Sequence, residues 1–209
     1  MEEFKHKLVI LFRDHSLRKR ILFILGALAV FRFLATIPVP GVDQAQLQAF
    51  LSNSQFFGLL NVFSGGGLSN LSIVMLGVGP YITASIIMQL LTIVFPQIKA
   101  MYQEDGEAGR AKFMLYSRLL TVPLALVQGF SFLILLQRQG IIGNLSSVDI
   151  ITNVIVITAG SILVMWIGEL MTEFGVGNGV SIIIFAGIVA GLPRTISQLV
   201  YSYDPSQIP

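Results

Sequence analysis

The sequence of 209 residues has no cysteine and only two histidines. Without cysteine the chain has no disulfide, no thiolate metal site and no cysteine nucleophile. His6 and His15 lie in a charged N-terminal stretch, where a metal site would need further ligands held rigidly, so we interpret both as solvated. Serine, histidine and acidic residues form no recognisable catalytic arrangement. The sequence therefore predicts no enzyme activity, no metal or cofactor site and no nucleic-acid partner.

Charge is also scarce. Charged residues make up 11% of the chain and hydrophobic residues 54%, with a mean hydropathy of +0.80. Soluble domains average about 25% charged and roughly 45–50% apolar residues. This composition excludes an ordinary water-soluble domain and predicts an integral membrane protein.

Five apolar segments are long enough to cross a bilayer, whose hydrocarbon core needs roughly 20 helical residues. A shorter apolar piece, 56–68, contains three consecutive glycines and is predicted to be re-entrant or interfacial. Asp149 is the predicted N-cap of the fourth span. The sequence thus predicts an all-α membrane protein with five transmembrane helices and one short re-entrant helix. The predicted spans cover residues 21–37, 71–95, 113–136, 149–171 and 180–200.

Lysine and arginine are distributed unevenly between the loops. They are frequent before residue 21 and between the second and third spans, whereas 41–70 has none. Because basic residues beside spans are retained in the cytosol, we expect a cytosolic N-terminus and an external C-terminus. Residues 1–20 form a separate amphipathic cytosolic segment, which lies in the headgroup plane or is a solvated basic leader.

Two junctions differ from ordinary membrane helix. Gly77, Gly79 and Pro80 predict a kinked start to the second span, and three glycines in 175–179 break the chain before the fifth. Irregular backbone at membrane depth must be buried in protein or face water. We therefore expect the second span to face a cavity, or to pack tightly through its small residues.

Few charged residues lie near the spans. Glu169 and Glu173 are four residues apart at the cytosolic end of the fourth span. They could form a proton relay or a cation site, but hydration is the favoured interpretation. Arg32 near the outer end of the first span is expected to extend to the interface, or to pack between helices.

Several uncommon motifs follow one another along the chain. They are FRFLATIPVPGVD (31–43), NVFSGG (61–66), GPYITASIIMQLL (79–91), EDGEAGR (104–110), WIGE (166–169), GVGNG (175–179) and FAGIVAGLP (185–193). In these motifs the chain resembles the SecY family of protein-translocation channels, which has ten transmembrane helices in two halves around an hourglass pore. The resemblance implies that 21–209 form helices one to five, one half of an inverted-repeat channel.

The resemblance also implies roles for individual residues. A short plug helix at about 57–70 would close the external funnel, and its glycines would let it move. The implied plug residues are Asn61, Phe63, Ser64, Gly65, Gly66 and Gly67; the implied pore ring is Val78, Ile82, Val180 and Ile184; and the implied lateral-gate residues are Thr83, Ile86, Ile87 and Gln89.

The four implied ring residues have a suitable chemistry. Val78 and Ile82 are one helical turn apart, as are Val180 and Ile184, so each pair points the same way. A ring of branched aliphatic side chains can seal around an extended polypeptide and deny ions their hydration. Without the resemblance, the same residues would be read as ordinary packing or as lipid-exposed.

The resemblance implies a multi-pass protein of the inner (cytoplasmic) membrane that takes signal sequences and unfolded polypeptides. Its implied partners are SecE, SecG, and SecA or a ribosome. One half cannot enclose a pore, so we expect a missing C-terminal half or a second copy of the chain. Two alternatives remain open: half of a small-solute secondary transporter, which would usually carry an ionisable residue in mid-span, and a noncatalytic scaffold.

Overall fold

The computed structural model describes residues 14–39, 64, 67–68, 71–140, 142–143 and 146–202, with the backbone alone over 193–202. Within these residues the regular structure is helical, and an isolated antiparallel bridge pairs Pro38 with Ser72. Residues 1–13 of the predicted amphipathic segment lie outside the described part. The helices are α1 (His15–Leu34), α2 (Gly79–Val94), α3 (Pro96–Gln103), α4 (Gly106–Arg138), α5 (Ser147–Phe174) and α6 (Gly179–Ser202).

The apolar helices account for the predicted membrane fold. Among the described residues, α4 and α5 are each long and apolar enough to cross a membrane, and α2 with α3 counts as a third span bent by 112°. The apolar part of α6 covers Gly179–Leu192. The all-α membrane fold is thus supported, whereas five spans remain a prediction.

The second span differs from its prediction of a helix over 71–95. Residues 71–78 form turns, and the helix begins only at Gly79. Leu71 and Gly77 both have a positive φ, 41° and 53°, which is incompatible with a right-handed helix. This segment is therefore apolar because it is buried as an irregular turn, and not because it is part of a transmembrane helix.

This turn is joined to the end of α1 by backbone hydrogen bonds. The amide of Val39 donates to the carbonyl of Leu71 at 2.8 Å, and the amide of Ile73 donates to the carbonyl of Ile37 at 3.0 Å. The bonds satisfy polar groups that would otherwise be stranded in an apolar setting. They fix the C-terminal end of α1 to the segment that leads into α2.

The start of α5 corrects a second prediction, because Ser146 rather than Asp149 is the N-cap. Ser146 Oγ accepts a hydrogen bond from the Asp149 amide at 3.3 Å, and Asp149 Oδ2 accepts one from the Ser146 amide at 3.1 Å. This reciprocal arrangement is a capping box. The N-cap consequently lies three residues before the predicted position, and the helix begins at Ser147.

Helix α4 packs through a stripe of buried residues that repeats almost every four positions. Small and hydroxyl side chains in the stripe allow close approach to neighbouring helices. The hydroxyls of Ser117 and Thr121 donate to the carbonyls of Phe113 and Ser117, so they need no partner from another helix. The stripe consists of Gly109, Phe113, Ser117, Thr121, Ala125, Gly129, Leu133 and Leu136.

The buried residues form two apolar clusters on either side of the turn 71–78. The α4-side cluster joins this turn to α4 and to the first half of α5; the α6-side cluster joins it to α1, the second half of α5 and α6. Ile73 packs against both. The turn therefore lies at the centre of the described fold. The α4-side cluster contains Val39, Leu68, Leu71, Met75, Leu133, Leu136, Ile142, Val154 and Ile157. The α6-side cluster contains Phe31, Ala35, Val74, Val78, Val164, Ile167, Met171 and Ile183.

Candidate functional site

The structure brings the four predicted ring residues into one region. Val78 is fully buried in the α6-side cluster, and Ile82, Val180 and Ile184 are partly buried against it. Val78 is the last residue of the junction 71–78 before α2, and Val180 follows the junction 175–178 before α6. The candidate site is therefore built from the first turns of α2 and α6, and its role as a pore ring remains a prediction.

The junction before α2 is held by α5. The Ser161 hydroxyl donates to the Gly77 carbonyl at 2.9 Å, a buried hydrogen bond between segments 84 residues apart. A Cβ on Gly160 would overlap the Ile73 carbonyl, so glycine lets the backbones touch. A Cβ on Gly77 would lie 2.6 Å from the Cα of Ser64. The position of Val78 thus depends on glycine in both segments.

The junction before α6 is held mainly by its adjoining helices. Thr172 Oγ1 donates to the Gly168 carbonyl at 2.9 Å and accepts from the Gly179 amide at 2.9 Å. Asn178 Oδ1 accepts from the Ser181 amide at 3.1 Å and so caps the first turn of α6. These bonds place Val180 at a fixed distance from the end of α5.

Helix α1 adds two contacts to this second junction. An Arg20 guanidinium nitrogen donates to the Gly175 carbonyl at 3.3 Å. The rings of Phe23 and Phe174 meet edge to face with centroids 5.9 Å apart. A cation at the C-terminal end of a helix complements the helix dipole, so Arg20 is well placed to cap α5.

A cavity of about 510 Å³ lies between α2 and α4. Its lining is largely apolar, with three polar side chains, Thr83, Gln128 and Ser131. Thr83 Oγ1 donates to the Gly79 carbonyl at 3.0 Å. Such a lining suits an apolar ligand with a few polar groups. The apolar lining residues are Leu68, Met75, Leu76, Ile82, Val127, Phe132 and Leu135, with Gly79.

The predicted lateral-gate residues do not all share this cavity. Thr83 lines it, whereas Ile86 is half exposed, Ile87 is partly buried and Gln89 is exposed elsewhere on α2. Sequence reasoning missed Gln128 on α4, which faces the same cavity. A polar amide within an otherwise apolar span was the signal that could have indicated it.

Glu169 corrects the prediction of a hydrated carboxylate. Its Oε1 accepts from Arg118 Nε at 2.7 Å, and the Glu169 side chain is only 20% exposed. Glu173 is exposed, in agreement with hydration. No local pattern could have paired Arg118 with Glu169, because 51 residues separate them.

The predicted plug is described only at Ser64 and Gly67, since Asn61, Phe63, Gly65 and Gly66 lie outside the described residues. Ser64 Oγ accepts from the Leu68 amide at 3.1 Å, and Ser72 Oγ donates to the Gly67 carbonyl at 3.0 Å. A Cβ on Gly67 would lie 2.8 Å from the Val74 carbonyl. At this position glycine permits close packing, and the plug role itself stays a prediction.

Comparison with known proteins identifies relatives of the chain. The SecY family model matches residues 72–208. The chain is 46% identical over 195 residues to the protein translocase subunit SecY of Corynebacterium glutamicum, and 45% identical over 191 residues to that of Escherichia coli strain K12. These matches cover 87% and 88% of this chain but 44% and 43% of the relatives. The chain therefore spans less than half the length of these relatives.

Solved structures share the fold. One is described as the structure of a protein-conducting channel, with a TM-score of 0.64, 22% sequence identity, and coverage of 91% of this chain and 43% of the other. Another is Sec61 in the canine ribosome-channel complex from the endoplasmic reticulum, with a TM-score of 0.64 and the same identity and coverage. At this identity the similarity establishes a common helical fold.

Proposed function

The chain belongs to the SecY family, and on that premise we propose that it forms one half of a protein-conducting channel. The channel passes unfolded polypeptides across the membrane and releases transmembrane segments laterally into the lipid. The observation that carries the proposal is the convergence of Val78, Ile82, Val180 and Ile184 on the α6-side cluster. Family membership favours this function over a solute transporter or a passive scaffold.

In the proposed mechanism, the four aliphatic side chains are this half's contribution to a constriction. They lie among other apolar side chains of the α6-side cluster and offer an ion no polar group to replace its water. A narrow apolar passage therefore excludes ions by dewetting. An extended polypeptide brings its own side chains and fills the passage while it moves.

Lateral release is assigned to the α2 surface. Thr83, Ile86, Ile87 and Gln89 are the proposed gate residues, and the neighbouring cavity between α2 and α4 is apolar with a few polar groups. An apolar signal sequence matches such a lining better than a hydrated chain does. Residues 57–70 are the proposed plug.

The proposed setting is the inner (cytoplasmic) membrane, with the N-terminus in the cytosol and the C-terminus outside. A second half, either a C-terminal partner or another copy of this chain, completes the enclosure. SecE, SecG, and SecA or a ribosome are the proposed partners. A ribosome accompanies the similar canine channel, which supports a cytosolic partner of that kind.

The test replaces Val78, Ile82, Val180 and Ile184 by glycine in the complex that this chain forms in its host membrane. We expect ion conductance across reconstituted bilayers to rise, because the apolar constriction is lost. A matched control places glycine at Ile151, Ile155, Leu163 and Leu170, which are exposed on the outer surface of α5. Unchanged ion conductance in the ring variant would show that these four residues do not line the passage.

A further inference from the structure

An ion pair lies within the helical region, close to the candidate site. Arg118 Nε on α4 donates to Glu169 Oε1 on α5 at 2.7 Å, with side chains 41% and 20% exposed. Ionisable residues within spans are costly unless they are paired or perform a function. The neighbouring Glu173 lies one turn nearer the end of α5 and is exposed, so the two carboxylates of this helix have different roles.

The pair also reaches α2. Tyr81 on α2 lies within electrostatic range of both Glu169 and Arg118, and Ser85 lies beside Tyr81. Because Tyr81 occupies the turn that carries Val78 and Ile82, its position and that of the ring residues are coupled. The polar cluster therefore links α4, α5 and the first turn of α2.

The other ring pair adjoins the same cluster. Glu169 follows Gly168, and a Cβ on Gly168 would lie 3.1 Å from Val180 Cγ2 and 3.4 Å from Ile183 Cδ1. Any rotation of α5 that moves Glu169 also moves the surface on which Val180 rests. One ion pair is thus connected to both pairs of ring residues.

We propose that Arg118 and Glu169 are positioning residues that hold the two ring-bearing junctions in their closed arrangement, with Tyr81 as the residue of α2 that lies within their electrostatic range. This inference rests on the proposed channel function. Neither residue touches the translocating chain in this proposal. Their effect is on the spacing of Val78 and Val180, and hence on the tightness of the ring.

The experiment uses the complex formed by this chain in its host membrane, purified and reconstituted into bilayers. Glu169→Gln and Arg118→Gln are each expected to raise ion leak about tenfold, equivalent to a shift of ~1.4 kcal/mol in the closed-to-open equilibrium. The double variant R118E/E169R restores an opposite-charge pair and is expected to bring the leak back towards the original level. Glu173→Gln is the matched control and should leave the leak unchanged.

A second readout separates positioning from stability. The melting temperature of each complex is measured together with export of a preprotein that carries an intact or a weakened signal sequence. We expect the single variants to export the weakened substrate better, since a loosened ring opens more readily. A lower melting temperature with unchanged leak and unchanged export would overturn the proposal, as would a swap variant that leaks as much as the single variants.

Two further variants cover the case in which the glutamine variants fail to assemble. Arg118→Lys keeps the charge without the guanidinium geometry, and Tyr81→Phe removes only the hydroxyl. Each is expected to raise the leak by less than the glutamine variants, and no rise in either would overturn the proposal.

If the ring glycine variant leaks while all pair variants do not, the channel function stands and the positioning role fails. If the ring glycine variant also shows no increase in ion leak, the proposed function itself fails.

Discussion

The two junctions that precede α2 and α6 differ in composition, since 71–78 has one glycine in eight residues and 175–178 has two in four. They also differ in their structural supports. Residues 71–78 before α2 are buried or half-buried, and α1, α5 and Ser64 hold them from several directions. Residues 176–178 before α6 are exposed, and most of the bonds at this junction come from the helices they connect. A Cβ would overlap neighbouring atoms at Gly77 in the first junction and at Gly175 in the second, whereas Gly177 adjoins open space. The comparison teaches that the junction before the α2 ring pair is enclosed by the core, whereas the junction before the α6 pair is exposed at 176–178 and depends more on local capping.

The largest expected difference comes from the positive-φ glycine in each junction, Gly77 (53°) in the first and Gly177 (79°) in the second. Alanine at either position costs about 1–2 kcal/mol for the left-handed backbone. At Gly77 the added Cβ also meets the Ser64 backbone, which adds about 1–3 kcal/mol of overpacking, whereas nothing lies within 4 Å at Gly177. Thermal unfolding of the purified complex should show Gly77→Ala to be clearly less stable than Gly177→Ala. Equal losses would mean that the first junction is no more tightly enclosed than the second.

A smaller effect is expected from the hydroxyl that secures the first junction. Ser161→Ala leaves the buried Gly77 carbonyl without its donor, and the expected loss of stability is about 1–3 kcal/mol. Thr158 is the matched control, because its buried Oγ1 has no hydrogen-bond partner within the described residues. Thr158→Val should therefore be neutral or slightly stabilising in the same unfolding measurement. A larger loss for Thr158→Val than for Ser161→Ala would contradict this assignment.

The smallest effect is expected at the second junction. Asn178→Ala removes the side-chain cap of α6 and should cost about 1 kcal/mol, the usual contribution of an N-cap. Asn178→Ser keeps an oxygen that can accept from the Ser181 amide, and it should restore most of the stability. If neither substitution changes the unfolding temperature, local capping does not determine the start of α6.

The sequence predicted the helices best where apolar length and flanking residues agree. Helices α4, α5 and α6 contain the predicted third, fourth and fifth spans, with longer ends than expected. The capping box at Ser146 was also present as a local pattern, but the acid was mistaken for the cap. Local signals of this kind depend on a few neighbouring residues and are therefore readable without tertiary information.

Two features could not be predicted because they depend on distant residues. The run 71–78 is apolar and reads as helix, yet its conformation is set by Gly160 and Ser161 on α5. The Arg118 partner of Glu169 is likewise on another helix. All four candidate ring residues were named through the family resemblance and their role stays a prediction, whereas the contacts that support them required the fold.

Helix α1 touches both junctions, one at each end. Near its first turns Arg20 donates to the Gly175 carbonyl, and beyond its last turn the carbonyl of Ile37 accepts from the Ile73 amide. Its 20 residues span about 30 Å at the rise of an α-helix. The helix is therefore a rigid connection of fixed length between the two junctions. We expect a displacement of one junction to move the other through α1, independently of the ring residues.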